Sequence, residues 1–209
     1  MLKQIPTVLW LALAIPVATA AEPKPITEAS TVLAIYNEDW GLAAADGPQL
    51  IFCLWDDGTL VWSDDQQHGG APFRSAQLSP DTLTKTLKQF EDRGLFEVPK
   101  LKHANWGPDS SFTKIVIRGK DHQLEMESWH ELFESGGKTI AASHGLTGLN
   151  GKKLLPALAQ EPAEYLHYRM TWLELRLAAA NLIPKAGTPT AGTATMKAGK
   201  ISWYPAVAE

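Results

Sequence analysis

Trp106–Glu131, WGPDSSFTKIVIRGKDHQLEMESWHE, is the stretch from which the fold is read. Phe112–Arg118 and His122–Trp129 both alternate apolar and polar residues with a period of two, the pattern of half-buried strands. A turn at Lys120-Asp121, entered from Gly119, joins them into a hairpin. That turn sets Ile117 opposite Leu124 and Ile115 opposite Met126 on the core face. The other face carries Val116 opposite Glu125 and Lys114 opposite Glu127, and a cross-strand pair of opposite charges contributes roughly 0.2–1 kcal/mol. A slip of one residue would put the isoleucines on the wrong parity, so the register is well specified. Phe112 and Trp129 close the open end.

Polar residues gather at that open end. Asp109, Ser110 and Ser111 precede the first strand; His130 and Glu131 follow the second. Folding the hairpin brings the two groups together, and this is the candidate site. In a hydrolase, His130 would be the general base, Asp109 or Glu131 its orienting carboxylate, and Ser110 or Ser111 the nucleophile. Such chemistry needs these groups within hydrogen-bond reach, about 2.6–3.2 Å. The same residues also suit a structural role. Gly107-Pro108-Asp109-Ser110 is ordinary turn chemistry, and His130 and Asp109 can satisfy loop backbone at the end of the sheet.

Working outward, Leu50–Ser63, LIFCLWDDGTLVWS, is a second hairpin. Asp57-Gly58 suits a two-residue type I′ turn, which would pair Trp55 with Leu60 and Cys53 with Trp62, leaving Phe52, Leu54 and Val61 on the other face. Both faces are apolar, so this hairpin is expected to be central, with a layer over each side. The tryptophan pair is read as core rather than as a platform for a carbohydrate or aromatic ligand. Cys53, the chain's single cysteine, sits mid-strand as a small buried hydrophobe and excludes an internal disulfide. Thr31–Tyr36 is a first strand. Asp64–Gln77, polar and containing Gly69-Gly70, Pro72 and His68, reads as a loop long enough to be suspected of function.

Ser79 opens the clearest helix, with Ser79 as N-cap, Pro80 at N1 and Asp81 in the first turn. Leu83, Leu87 and Phe90 form its apolar stripe, and Gly94 ends it. Lys138–Ser143 reads as a short strand and Lys153–Gln160 as helical. Pro162 starts a longer helix through about Asn181, with Leu166, Met170, Leu173 and Leu177 as its stripe. Tyr165, Tyr168 and Trp172 add packing bulk. Lys185–Gly199, rich in Ala, Gly, Thr and Pro, reads as a flexible connection, and Ile201–Tyr204 as a final strand or a docking tail.

Residues 1–20 resemble a secretory signal peptide. Lys3 supplies the positive start, Val8–Val17 the short apolar core, and Ala18-Thr19-Ala20 the small-residue cleavage pattern. The apolar run is too short for a comfortable membrane span of about 20 residues. Cleavage after Ala20 leaves 18 basic and 23 acidic residues, a net charge of −5. An acidic surface argues against nucleic acid as a general partner.

Near-motifs fail on geometry. Ser111-Phe112-Thr113-Lys114 has S-x-x-K spacing, but that motif needs a helix and here lies on a strand. Gly145–Lys153, GLTGLNGKK, lacks the phosphate-loop spacing. His130-Glu131 lacks the second histidine of H-E-x-x-H. No two histidines stand at metal-ligand spacing, although a site assembled from His130, His144 and Glu131 is conceivable.

The expectation is therefore a single α+β domain over 31–183. It follows a signal segment at 1–20 and a linker at 21–30, and precedes a flexible segment at 184–209 with a docking strand at 201–204. An antiparallel sheet of about five strands carries the Ser79 helix on one face and the C-terminal helices on the other face or at an edge. The functional expectation is an exported, periplasmic or secreted, soluble protein, a non-catalytic binding or accessory domain for a small molecule or protein. No cofactor, no metal and no membrane segment after cleavage are expected. The alternative is a hydrolase using Asp109, Ser111, His130 and Glu131.

Overall fold

The first hairpin forms in the register its alternation demands. In the computed structural model, which describes residues 29–39, 48–98, 111–129, 163–197 and 199–206, β5 (Ser111–Arg118) and β6 (Gln123–Trp129) pair Ile117 with Leu124, Ile115 with Met126, Val116 with Glu125 and Lys114 with Glu127. Gly119 N–H donates to His122 O across the expected turn. The segments 1–28 and 130–162 lie outside the described residues, and with them the signal peptide and the elements expected at 138–143 and 153–160.

The hairpin is one end of a larger sheet than expected. The other strands of that sheet are β1 (Thr31–Asp39), β2 (Gln49–Trp55), β3 (Thr59–Ser63), β4 (Phe73–Gln77) and β7 (Thr188–Thr190). Seven strands in the order β6-β5-β1-β2-β3-β4-β7 pair antiparallel throughout. A separate hairpin joins β8 (Gly192–Lys197) to β9 (Lys200–Pro205). Two helices complete the described residues, α1 (Pro80–Asp92) and α2 (Ala163–Leu182). The architecture is thus sheet-dominated, more so than an α+β description suggests.

Hairpin β2–β3 corrects the sequence reading by one residue. Its loop has three residues, Asp56-Asp57-Gly58, not two. Gly58 N–H donates to Trp55 O at 3.0 Å, and Gly58 stands at φ +84°. This is a turn followed by a left-handed residue that forms a bulge, the usual three-residue solution. Leu54 therefore faces Leu60, Cys53 faces Val61 and Phe52 faces Trp62. Phe52, Leu54, Leu60 and Trp62 share one core; Cys53, Trp55 and Val61 share the other. The pattern misled because both faces are apolar, so either register buries everything and the alternation penalises neither. Trp55 and Trp62 are both buried, on opposite faces, and form no exposed platform.

Two layers cover this two-faced sheet. On one side lie α1 and α2 together, where the expectation put the C-terminal helices on the other face or at an edge. Leu83 and Phe90 of α1, and Tyr168, Trp172, Leu175 and Ala179 of α2, pack on Ile35, Leu54, Ile115 and Ile117. On the other side Ile201 and Trp203 of β9, with Ala194 and Met196 of β8, cover Ala34, Trp55, Val61 and Val116. The segment expected to be flexible thus contains β7 and β8. Its small residues have a purpose, since Gly187 lies against the Trp62 ring and Gly192 against Trp203, where any Cβ would collide.

Helix α1 follows its sequence signals closely. Ser79 Oγ accepts from Thr82 N–H at 3.2 Å. At the far end Gly94 N–H bonds Glu91 O and Leu95 N–H bonds Phe90 O, so the last carbonyls are satisfied by a Schellman ending. Helix α2 departs from its signals. Met170, Leu173 and Leu177 of the expected stripe face solvent, at 57%, 41% and 63% exposure. The buried stripe is Tyr168, Thr171, Trp172, Leu175 and Ala179. Two apolar stripes competed, and the one carrying the larger aromatic area won.

Side-chain hydrogen bonds fasten each layer to strand backbone. Tyr168 Oη donates to Glu127 O at 2.7 Å and accepts from Glu127 N–H at 2.8 Å, capping the outer side of edge strand β6. Across the sheet, Trp55 Nε1–H donates to Ile201 O at 2.9 Å and Ile201 N–H donates to Thr31 Oγ1 at 3.0 Å. Tyr168→Phe removes one hydroxyl and leaves a strand N–H and C=O without it. The expected loss is about 1–3 kcal/mol, read as a lower urea midpoint with an unchanged slope. Gly58→Ala places a Cβ 2.7 Å from Leu78 O at a positive φ. It should lower the same midpoint by a comparable amount, about 1–3 kcal/mol.

Candidate functional site

The expected site falls mostly beyond the described residues. Ser110, Asp109, His130, Glu131 and His144 all lie outside them; Ser111 is the first residue of β5, its backbone opposite Asp39 of β1. The S-x-x-K residues Ser111 and Lys114 do lie on that strand. The ladder runs through Phe112 opposite Trp129, so the hairpin's ends meet as the register required.

The described residues assemble a different polar group, on the sheet face that β8–β9 covers in part. Strands β1, β5 and β6 run side by side, and their register sets side chains in rows. One row is Ala34, Val116, Glu125. The next is Tyr36, Lys114, Glu127. The third begins Glu38, Phe112. The rows follow from strand alternation, since Tyr36 and Glu38 share a parity on β1 as Glu125 and Glu127 do on β6. A bulge helps to position Tyr36. Ile51 is an extra residue on β2, opposite the step from Ile35 to Tyr36, and such bulges bend the strand locally and re-aim side chains.

Within this patch Lys114 Nζ pairs with Glu38 Oε2 on the neighbouring strand. The expected partner on the other side was Glu127, two residues from Glu125 along the edge strand. Glu125 is exposed and Glu127 half-buried. Tyr36 is 6% exposed and its ring belongs to the core. Its hydroxyl makes no hydrogen bond to another described residue. Burial first, and then the carboxylates of Glu125, Glu38 and Glu127, hold the Tyr36 phenol well above its ordinary pKa, so the neutral form is favoured. Arg118 stands on the same face of β5 as Lys114 and donates to Gln123 Oε1 at 2.8 Å, so among the described residues the face carries charges of both signs.

The patch was not read from the sequence, although one part was. The register that sets Lys114 opposite Glu127 is present, but the Lys114 ammonium pairs with Glu38 instead. What went unseen was the third strand. Ala34-Ile35-Tyr36-Asn37-Glu38 alternates in a way that places Tyr36 and Glu38 on one face, but nothing local says that β1 lies beside β5.

The loop at 64–72 is the second polar region. Asp65 carboxylate accepts from Gln67 N–H and His68 N–H, and His68 Nδ1 lies 2.9 Å from Asp65 Oδ2. Asn37 Nδ2 donates to Gln67 O and His68 O, Thr113 Oγ1 donates to Asn37 Oδ1 at 2.7 Å, and Arg176 donates to Gln66 O. The loop is therefore tied to β1 and α2, and through Asn37 to β5. It is also shorter than expected, because Phe73–Gln77 forms β4. The side chains of His68 and Asp65 are 65% and 46% exposed. Among the described residues no serine, threonine or cysteine side chain bonds the His68 ring, and no group of three or more His, Cys, Asp or Glu residues could hold a metal ion. Cys53 is sealed in the core, where burial pushes its thiol pKa up.

Comparison with protein-family models, with curated proteins and with solved structures finds no match. No helix among the described residues is long and apolar enough to cross a membrane.

The Asp65 turn makes a pH prediction. The two backbone donors and the His68 ring pull its carboxyl down to about 2, against about 3.9 when unfolded. A depressed carboxylate stabilises the fold above its unfolded pKa and loses that contribution as pH falls toward its folded one. The wild-type thermal midpoint should therefore drop more steeply between about pH 4 and pH 2 than that of Asp65→Asn, by a margin kept small through solvent screening.

Proposed function

We propose that this protein is an exported, non-catalytic binding or accessory domain that holds a ligand or partner group at the Tyr36 patch. The observation that carries this reading is Tyr36 itself. A tyrosine 94% buried would ordinarily spend its hydroxyl on a protein partner. Here that hydroxyl has no partner among the described residues and stands among carboxylates on a sheet face. The flanking groups stand on strands, and a polar group on a strand is held more accurately than one on a loop. Residues 1–20, with their lysine, short apolar core and Ala-Thr-Ala ending, support the exported address.

The test is an amide NMR titration of the purified chain with four probes of different chemistry: argininamide, calcium chloride, citrate and maltose. The expected result is that one probe shifts the amides of Tyr36, Lys114, Glu125 and Glu127 and leaves α1 still. If no probe moves those amides, or if the chain turns over an ester substrate and His130→Ala abolishes that turnover, the reading is wrong.

A further inference from the structure

We infer that this protein forms a twofold dimer through the outer face of α2. The inference is independent of the Tyr36 patch, which belongs to the other side of the sheet. Among the described residues the large apolar side chains left exposed are Met170, Leu173 and Leu177, and all of them stand on α2. They are three and four positions apart, so they form one stripe, with the spacing that helices use to pack on one another. The sheet does not use this stripe. Tyr168, Trp172, Leu175 and Ala179 hold α2 to the sheet from the opposite side of the helix. A contiguous apolar row left outside the fold marks a contact surface. Beside it, between α1 and α2, lies a groove of about 390 Å³ with Phe90, Leu95, Leu177 and Ala178 in its lining.

A second copy of the chain is the occupant that this surface fits. Two α2 helices laid end for end, with the axis at Leu173 and Glu174, bring Met170 of each copy level with Leu177 and Ala178 of the other, beside the groove. Each copy then offers a knob at one end of the stripe and a recess at the other, the self-complementary pattern of a twofold contact. Charge complementarity supports the same arrangement. Arg93 Nη1 lies 3.3 Å from Glu174 Oε2, and the Arg93 side chain is 62% exposed. The axis sets the two Glu174 carboxylates near each other, a repulsion if they stood alone. Each carries its own Arg93, and a guanidinium has five N–H donors, enough for a carboxylate from each copy. Two carboxylates and two guanidiniums therefore alternate along one flank of the contact. A membrane surface fits less well. Helices that lie on a bilayer flank their apolar face with lysine and arginine, whereas Glu174 flanks this one and the chain as a whole carries a net charge of −4.

Sedimentation velocity of the full chain over a concentration series tests this. The mass should rise from one chain to two as concentration increases. Leu177→Glu should stay monomeric throughout, and Met170→Gln, which keeps the size of the side chain, should weaken the dimer about tenfold. Arg93→Glu and Glu174→Arg each gather like charges at the axis and should each weaken it by about tenfold. Arg93→Glu/Glu174→Arg restores the alternation and should return the affinity to within about threefold of the native value. These side chains are exposed or half-buried, so thermal midpoints measured where every variant is monomeric should stay near the native one, which separates a lost contact from a lost fold. If Leu177→Glu lowers that midpoint, Met170→Gln carries the apolar test. The inference is overturned if the native chain remains monomeric across the series, if the apolar variants dimerise as the native chain does, or if the double reversal fails to recover what the single reversals lose. Vesicles of phosphatidylglycerol and phosphatidylcholine are run beside the series. If a monomeric native chain floats with them and Leu177→Glu does not, the stripe is a membrane face and the dimer is wrong.

Discussion

A sheet that is apolar on both faces must be covered twice. Strands β1, β2 and β3 are such a sheet, and the rest of the molecule answers that constraint. Each cover is a different kind of structure. The helices lay aromatic and aliphatic stripes over one side, and the β8–β9 hairpin lays Ile201 and Trp203 over the other. Hydrophobic area is not directional and cannot by itself set where a cover sits. Direction comes from a few hydrogen bonds. Tyr168 closes a donor–acceptor pair of β6 backbone, and Thr31 with Trp55 closes the pair at Ile201. In both cases side chains supply what a further strand would otherwise have supplied, so each exposed length of strand backbone is partly blocked. Trp203 shows the limit of this economy. Its indole N–H is buried with no hydrogen bond among the described residues, and its ring instead packs edge-on against Phe73 at 4.7 Å.

What was legible in the sequence follows from how many alternatives each pattern excluded. The β5–β6 hairpin has one apolar face and one charged face, so only one register buries its isoleucines, and that register is observed. The β2–β3 hairpin is apolar on both faces and offers no such test; the turn chose, and a three-residue loop moved Leu60, Val61 and Trp62 to the opposite sides. Helix α1 declared itself through Ser79, Pro80 and Gly94, which act locally. Helix α2 carried two apolar stripes, and only the sheet beneath it could decide between them. Strand β8 was hidden by composition. Yet Gly192, Ala194 and Met196 turn inward while Thr193, Thr195 and Lys197 face outward, an alternation that was present but built from small residues.

The polar patch was illegible for a topological reason. Its groups come from β1, β5 and β6, and the sheet places β1 next to β5 although some seventy residues and three strands intervene. Pairing across so long a separation leaves no mark on the residues that meet. Local reasoning found the half of the patch that one hairpin holds together, and assigned Lys114 to Glu127. The third strand supplied the partner that Lys114 takes, Glu38, and with it freed Glu127 and added Tyr36.

The attachment of Ile201 to Thr31 and Trp55 bridges 170 and 146 positions of sequence, and this has a kinetic side. Contacts of such separation form late and slow the search for the native state. A chain made or threaded N-terminus first has its central strands long before it has Lys200–Pro205. Until that segment arrives, Ala34, Trp55, Val61 and Phe73 form an uncovered apolar surface on an otherwise assembled sheet. The interval between those two events is the period in which the chain is most exposed to aggregation, and its length is set by the position of one hairpin in the sequence.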